Sequence, residues 1–207
     1  TLFAVYREQI RILSSSEHPN GEDFMRVKIE QIEDLVSVNP NLEWEFAIIN
    51  DGDDSDSSVP RSVDMIKEII QKERSDLSEK VHLFAMPQHL REKIRSRKGG
   101  AIMYGAWERL RKGWFRHPDI IILTDADITS HLGLEGLLIS EALKPEVGIA
   151  IGSTKVSNGE AKKADPLRTT YYAFYNFLVQ RWLPLKGVQD TMMGFKAMRT
   201  DIIELIL

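Results

Sequence analysis

The apolar positions of the chain follow two periods in turn, which predicts strands alternating with helices. Short, nearly continuous runs of Ile, Val, Leu and Phe indicate buried strands at 1–6, 44–49, 81–85, 119–124 and 147–151. Apolar residues spaced three or four apart indicate helices at about 22–37, from Pro60, from Gly99, at 133–143 and at 166–182. Such an alternation is typical of a mostly parallel sheet covered on both faces. The sequence therefore predicts an α/β fold, a single-domain three-layer sandwich.

The same spacing predicts which side of each helix faces the core. Met25, Ile29, Ile32 and Val36 share one face of the first long helix. In the helix after Gly99 the predicted inward residues are Met103, Ala106 or Trp107, and Leu110. The aromatic residues of 166–182 are expected to lie mostly in the core, with a minority lining an acceptor or lipid groove. The polar segments 86–99 and 153–165 lack a clear period and are predicted to be loops.

Composition narrows the classes of function. The chain has 27 basic and 31 acidic residues, a net charge of −4, which gives no reason to expect nucleic acid as a partner. It has no cysteine, which excludes disulfides, thiolate zinc sites and a cysteine nucleophile, and suits a reducing cytoplasm. No apolar run is long enough for a membrane span, and the first residues do not resemble a signal peptide. The expected location is the cytoplasm.

Carboxylates follow two of the predicted strands. Asn50 to Asp56 contains four aspartates, and Asp125 and Asp127 lie two residues apart directly after the strand at 119–124. In parallel α/β sheets, ligands bind beyond the carboxyl ends of the strands. A carboxylate pair there can hold one Mg²⁺ or Mn²⁺ ion shared with water and the phosphates of a nucleotide. Solvated acidic turns and helix caps remain the alternatives for both segments.

Two further segments carry charge beside glycine. Arg95 to Ala101 places basic side chains and two glycines just before a helix, where backbone N–H groups and the helix dipole favour an anion. A solvated basic turn is the alternative. Lys186 to Lys196 places Asp190 among apolar neighbours and two lysines, and composition alone does not decide between a helix cap and a general base.

Taken in chain order, these segments resemble the inverting family-two glycosyltransferases of the GT-A fold, most closely the dolichyl-phosphate glucose and mannose synthase branch. The resemblance joins 49–56 to that family's D-D-G-S-x-D stretch, 98–101 to G-K-G-x-A, 124–127 to D-x-D, Gly152-Ser153 to G-S-R, and 189–196 to D-T-Q-C-G-F-K. The segment 4–8 is loosely similar to the P-x-Y-N-E opening. The chain departs from the family pattern at Asn50, Thr154 and Met192-Met193.

The resemblance implies one GT-A domain over 1–207, with a donor-binding part at about 1–130 and an acceptor-side part at about 131–207. It implies transfer of a hexose from a UDP- or GDP-linked donor, with inversion, supported by Mg²⁺ or Mn²⁺ on Asp125 and Asp127. Asp190 would face the acceptor as the catalytic residue. The implied donor-binding residues are Tyr6, Glu8, Asn50, Asp51, Gly52, Asp53, Lys98, Gly99, Gly100, Asp125, Ala126 and Asp127. The acceptor-side residues are Gly152, Ser153, Arg168, Lys186, Thr191 and Lys196.

The acceptor and the reaction class stay open at this point. The acceptor is expected to be a polyprenyl or dolichyl phosphate or a smaller phosphorylated or hydroxylated molecule. A lipid acceptor implies peripheral membrane contact, with the helix at 166–182 as the contact surface. A homodimer is an alternative to a monomer. A sugar-phosphate nucleotidyltransferase and a non-catalytic sugar-nucleotide sensor are the two alternative functions.

Overall fold

The computed structural model describes residues 1–52, 60–94, 97–114, 119–153, 166–182, 188, 190 and 193–207, with the side chains of 166–169, 172 and 180 left out. Six strands in these ranges form one sheet in the order β3-β2-β1-β4-β6-β5. They are β1 Leu2–Val5, β2 Phe46–Asn50, β3 Val81–Ala85, β4 Ile120–Leu123, β5 Ile149–Ile151 and β6 Lys196–Arg199. Strands β1 to β4 are mutually parallel, and β6 is antiparallel to both β4 and β5. The predicted α/β fold with a mostly parallel sheet is confirmed.

Helices connect most of the strands. Within the described ranges they are α1 Gln9–Ile12, α2 Phe24–Val38, α3 Ser62–Glu73, α4 Gln88–Ile94, α5 Lys98–Arg111, α6 Glu135–Ala142, α7 Pro166–Trp182 and α8 Thr200–Ile206. Short 3₁₀ turns occur at Ser75–Leu77 and Leu132–Leu134. Among these helices, none combines the length and the apolar character that crossing a bilayer requires.

Alternate side chains of strands β1 to β4 and of β6 enter two separate hydrophobic clusters. Phe3 and Ile48 belong to the larger cluster, together with residues of α2, α3 and α6. Leu2 and Ile49 belong to the smaller cluster on the opposite face of the sheet, with residues of α5 and α8. The Phe3 ring makes an edge-on contact with Phe24 of α2, with the ring centroids 6.3 Å apart. The period of two along each strand thus produces helix layers on both faces, as the apolar pattern predicts.

Helix α5 packs on the sheet with its small residues. Ala101, Gly105 and Ala106 are buried, while Met103 is 41% and Trp107 is 44% exposed. The predicted inward position of Met103 is therefore wrong. Of the alternatives Ala106 and Trp107, the structure buries Ala106, and Leu110 packs partly buried against the smaller cluster. A Cβ on Gly105 would lie 2.5 Å from Cδ1 of Ile49. The helix backbone approaches β2 so closely that only small residues fit between them.

We expect Gly105→Ala to lower the free energy of unfolding by about 1–3 kcal/mol, the usual cost of overpacking a rigid core. Alanine would gain up to about 1 kcal/mol in helix propensity, which is too little to compensate. Gly136→Ala in α6 is the matched control, because its new Cβ would meet Leu35 at an ordinary 3.7 Å. Urea unfolding of both variants measures the difference. Equal stabilisation by both substitutions would contradict the close approach of α5.

The aromatic residues of α7 whose side chains the structure describes lie outside both hydrophobic clusters. Tyr171, Phe174, Tyr175, Phe177 and Trp182 are 37–82% exposed. The prediction that most of them belong to the core is wrong for these five. With 3.6 residues per turn they lie on one side of the helix, opposite the buried Asn176, and that side is turned away from both clusters. Asn176 is the buried position among the described side chains of this helix.

Helices α4 and α8 and strand β6 differ from the predicted loop and strand pattern. Helix α4 occupies Gln88–Ile94 within the predicted loop 86–99, and Leu90 packs against the smaller cluster. The rest of the other predicted loop, from residue 154 to 165, lies outside the described residues. Strand β6 and helix α8 have no counterpart in the sequence prediction. Strand β6 completes the sheet by pairing Lys196 with both Leu123 and Ile151.

Candidate functional site

The parallel strands bring the predicted donor residues to one edge of the sheet. Tyr6 follows β1, Asp51 follows β2, and Asp125 and Asp127 follow β4. Because β1, β2 and β4 are parallel neighbours, their carboxyl ends lie side by side. The antiparallel strand β6 begins at this same edge, so Lys196 joins the group. The site combines segments that are far apart in sequence.

Asp51 and Gly52 form a buried turn at the end of β2. The Asp51 N–H donates to the Val5 carbonyl at 3.0 Å, and the Gly52 N–H donates to Asn50 Oδ1 at 2.8 Å. Gly52 has a φ of +93°, and a Cβ there would overlap the Arg91 guanidinium. Glycine is therefore required at 52 both by backbone conformation and by the space that Arg91 fills.

Burial and two nearby cations have opposite effects on the pKa of the Asp51 carboxyl. Burial raises its pKa, while Arg91 and Arg97 act in the opposite direction. Arg97 also lies 5.0 Å from the centre of the Tyr6 ring, and Arg7 lies 5.4 Å from it. Arg7 has a positive φ of 56°, an uncommon conformation for a residue with a side chain. These residues together offer a carboxyl group, an aromatic face and guanidinium groups, which suit a polar planar ligand.

Asp125 forms an ion pair with Lys98, the first residue of α5. A Cβ on Gly194 would lie 2.5 Å from Asp125 Oδ2, so glycine at 194 leaves room for this carboxylate. Burial lowers the pKa of Lys98, Lys196 lowers it further, and Asp127 and Glu8 raise it. Lys98, Lys196 and the N-terminus of α5 thus place positive charge beside the two aspartates. An anion such as a diphosphate fits there.

The two oxygens of Asp127 have different surroundings. Oδ1 accepts hydrogen bonds from the N–H of Thr129 at 3.1 Å and from its hydroxyl at 2.5 Å. Oδ2 lies 3.7 Å from a guanidinium nitrogen of Arg11. Arg11 also lies 3.5 Å from a carboxylate oxygen of Glu8. Burial raises the pKa of Glu8, and Asp127 adds to that effect while Arg11 opposes it.

Lys28 of α2 is a fully buried lysine beneath this edge. Its Nζ has no hydrogen-bond partner among the described residues and lies 5.7 Å from the centre of the Phe3 ring. Burial lowers its pKa to about 8, against the opposing effect of Asp127, Glu135 and Glu22. Its charge therefore acts on the predicted metal ligand from inside the protein.

The remaining predicted residues are only partly described. The Gly152 N–H donates to the Phe195 carbonyl at 2.9 Å, which fixes the start of the predicted G-S segment beside β6. Ser153, Asp190 and Lys196 are half-buried, Ala126 and Gly100 are buried, and Gly99 is exposed. Asp53, Lys186, Thr191 and the side chain of Arg168 lie outside the described residues.

Three cations of the site were not singled out from the sequence: Arg11, Lys28 and Arg91. Lys28 could have been found, since it lies three residues after Met25 and four before Ile32 on the apolar face of α2. Arg91 could have been found only by recognising α4, for which Leu90 and Ile94 are the signal. Nothing in the sequence around Arg11 indicates its carboxylate partners.

A metal ion is compatible with the donor set at Asp125 and Asp127. In the described part of the chain, no three His, Asp or Glu side chains lie close enough to form an all-protein metal site. Mg²⁺ needs fewer, because it commonly binds one or two carboxylates and completes its shell with water and substrate phosphates. Asp127 Oδ2 lies 3.7 Å from the Arg11 guanidinium, beyond hydrogen-bond distance, and is the Asp127 oxygen that could bind such a partly hydrated ion.

Comparison with known proteins assigns no family: no family model matches the chain, and no curated protein matches it.

Proposed function

We propose that the chain is a metal-dependent glycosyltransferase of the GT-A fold that moves a hexose from a UDP- or GDP-linked donor to an acceptor with inversion. One observation carries the proposal. The sheet edge brings together Asp51 with its neighbours Tyr6 and Arg97, the Lys98 end of α5 and the Asp125–Asp127 pair, which are separated in the sequence. These three parts match the base, the diphosphate and the metal bridge of a nucleotide sugar.

Each part has a task in that reaction. The Asp51 carboxyl would accept or donate a hydrogen bond at the edge of the nucleobase, with Tyr6 and Arg97 beside it. Lys98, Lys196 and the first turn of α5 would hold the diphosphate. Asp127 and Asp125 would hold Mg²⁺ or Mn²⁺, which supplies Lewis-acid stabilisation of the leaving diphosphate.

The chemical step is a substitution at the anomeric carbon. The acceptor oxygen forms a bond to that carbon from the face opposite the diphosphate, and the bond to the diphosphate oxygen breaks with its electron pair. The negative charge that develops on the leaving group is the main barrier, and positive groups already in place stabilise it. A hydroxyl acceptor must lose its proton, for which Asp190 is the proposed base. A phosphate acceptor is already anionic at neutral pH and needs no base.

A thermal-shift screen of nucleotides tests the proposal. With Mn²⁺ present, we expect UDP-hexoses or GDP-hexoses at a hundred times their Kd to stabilise the fold by about 2.7 kcal/mol. For a chain of this size the melting temperature should rise by about 5–10 °C. Glu30→Ala, an exposed change on α2, is the control that should leave the shift unaltered.

Two outcomes would overturn the proposal. One is the absence of a shift with every nucleoside-diphosphate sugar. The other is a shift with nucleoside triphosphates together with pyrophosphate release from a sugar phosphate, which would identify a nucleotidyltransferase.

A further inference from the structure

We propose that Arg11 is a half-exposed counter-ion of Asp127 that competes with the metal ion for this carboxylate, so that it couples metal binding to donor binding. The inference rests on the proposed metal-dependent donor site. Arg11 is a positioning residue here, since it acts through Asp127.

The Arg11 guanidinium lies close to one particular oxygen of Asp127. Thr129 occupies Asp127 Oδ1, which leaves Oδ2 as the oxygen for a cation. Arg11 lies 3.7 Å from that same oxygen. A guanidinium and a divalent ion repel each other, so both cannot share Oδ2 at short range. Arg11 therefore competes with a metal ion for this oxygen.

The second step is what Arg11 does when the ion binds. Its guanidinium also lies 3.5 Å from Glu8 Oε2 and 3.5 Å from Glu22 Oε1. Arg11 is 43% exposed and belongs to a single helical turn, so its side chain has room to move. Once released from Asp127, it keeps two carboxylate partners. Its displacement therefore costs little, and the gap it leaves is at the metal ligand.

The third step is the local charge balance. Asp127 is already influenced by the buried ammonium of Lys28 and by Lys98. Arg11 is a third cation at this carboxylate, and the three cations together weaken the attraction that Asp127, Asp125 and Glu8 exert on a divalent ion. A diphosphate adds negative charge beside Lys98 and restores that attraction. By thermodynamic linkage, the factor by which the nucleotide raises the affinity for the metal equals the factor by which the metal raises the affinity for the nucleotide.

The test is a titration of Mn²⁺ alone, followed by the electron paramagnetic resonance signal of the free ion. Arg11→Gln removes the charge and keeps polar contacts with Glu8. We expect it to bind Mn²⁺ about tenfold more tightly than the wild-type chain in the absence of nucleotide. Added UDP or GDP should then improve Mn²⁺ binding by a correspondingly smaller factor.

Two variants separate charge from side effects. Arg11→Lys keeps the positive charge and should resemble the wild-type chain. Arg74→Ala is the matched control, because Arg74 also contacts two carboxylates, those of Glu33 and Asp76, but far from the site in the sequence and the fold. It should leave Mn²⁺ binding unchanged.

The outcomes distinguish this inference from the proposed function. Unchanged or weaker Mn²⁺ binding by Arg11→Gln, with nucleotide-dependent Mn²⁺ binding intact in the wild-type chain, overturns the role of Arg11 alone. If the wild-type chain binds no Mn²⁺ even with UDP or GDP, the metal-dependent function falls and the role of Arg11 falls with it.

Discussion

Lys28→Met is expected to raise the free energy of unfolding at pH 7 by about 2–4 kcal/mol. The folded chain holds the Lys28 ammonium without a hydrogen bond among the described residues, and its pKa falls from 10.5 to about 8. Each unit of pKa shift corresponds to about 1.4 kcal/mol. Methionine fills a similar volume without the charge, and replacing a poorly compensated buried charge by an apolar group is often stabilising.

The pH dependence of this effect identifies its cause. Between pH 8 and 10.5 the unfolded chain still holds the Lys28 proton while the folded chain has lost it. The stability of the wild-type chain from this group therefore rises with pH across that window. The advantage of Lys28→Met should accordingly shrink between pH 7 and pH 10, as measured by urea unfolding. Groups that titrate in both chains cancel in the difference.

Lys67→Met on the exposed side of α3 is the control and should change stability little at either pH. An advantage of Lys28→Met that is the same at pH 7 and pH 10 would show that packing, and not charge, is responsible. Destabilisation at pH 7 would show that the three nearby carboxylates need the ammonium more than burial opposes it.

Asp127→Asn is expected to remove the Mn²⁺-dependent part of donor binding and to lower hexose transfer by about 10²- to 10³-fold. Losing one preorganised group that stabilises transition-state charge has costs of this size. Asparagine keeps an oxygen that can accept the hydrogen bonds of Thr129, so the loop geometry should persist. The thermal shift with UDP- and GDP-hexoses, recorded with and without Mn²⁺, and a transfer assay measure both effects.

Glu141→Gln on the exposed part of α6 is the matched acid-to-amide control and should affect neither measurement. Retention of the full Mn²⁺-dependent shift by Asp127→Asn would place the metal site elsewhere and contradict the proposed role of the pair.

The parts of the fold that the sequence predicts are those encoded by local periodicity. In strands β1 to β5 and helices α2 and α3, the apolar residues of the segment itself follow the pattern of the element that it forms. Strand β6 could not be predicted, because Lys196–Arg199 is short, has charged ends and becomes a strand only by pairing with β4 and β5. The exposure of the α7 aromatics could not be predicted for a similar reason, because the sequence of a helix does not specify which other elements pack against it.

At the site, the sequence predicts which backbone segments meet. It does not predict which of the long charged side chains form ion pairs with one another. The carboxyl ends of parallel strands must share an edge, so Asp51 and Asp127 could be placed there in advance. The contacts of Arg11 and Arg91 depend on where α1 and α4 turn after their strands, and no local pattern determines that. The pairing of charges at the site therefore cannot be predicted without the three-dimensional structure.

Because β6 lies between β4 and β5, it also determines the order in which strands can join the sheet during translation. The nascent chain supplies β5 before β6, yet β5 reaches the sheet only through β6. Until residues 196–199 emerge, β4 keeps an unpaired edge and β5 has no partner within the described sheet. Unpaired strand edges favour association with other chains, so we expect the nascent chain to be prone to association through β4 until this stretch has emerged.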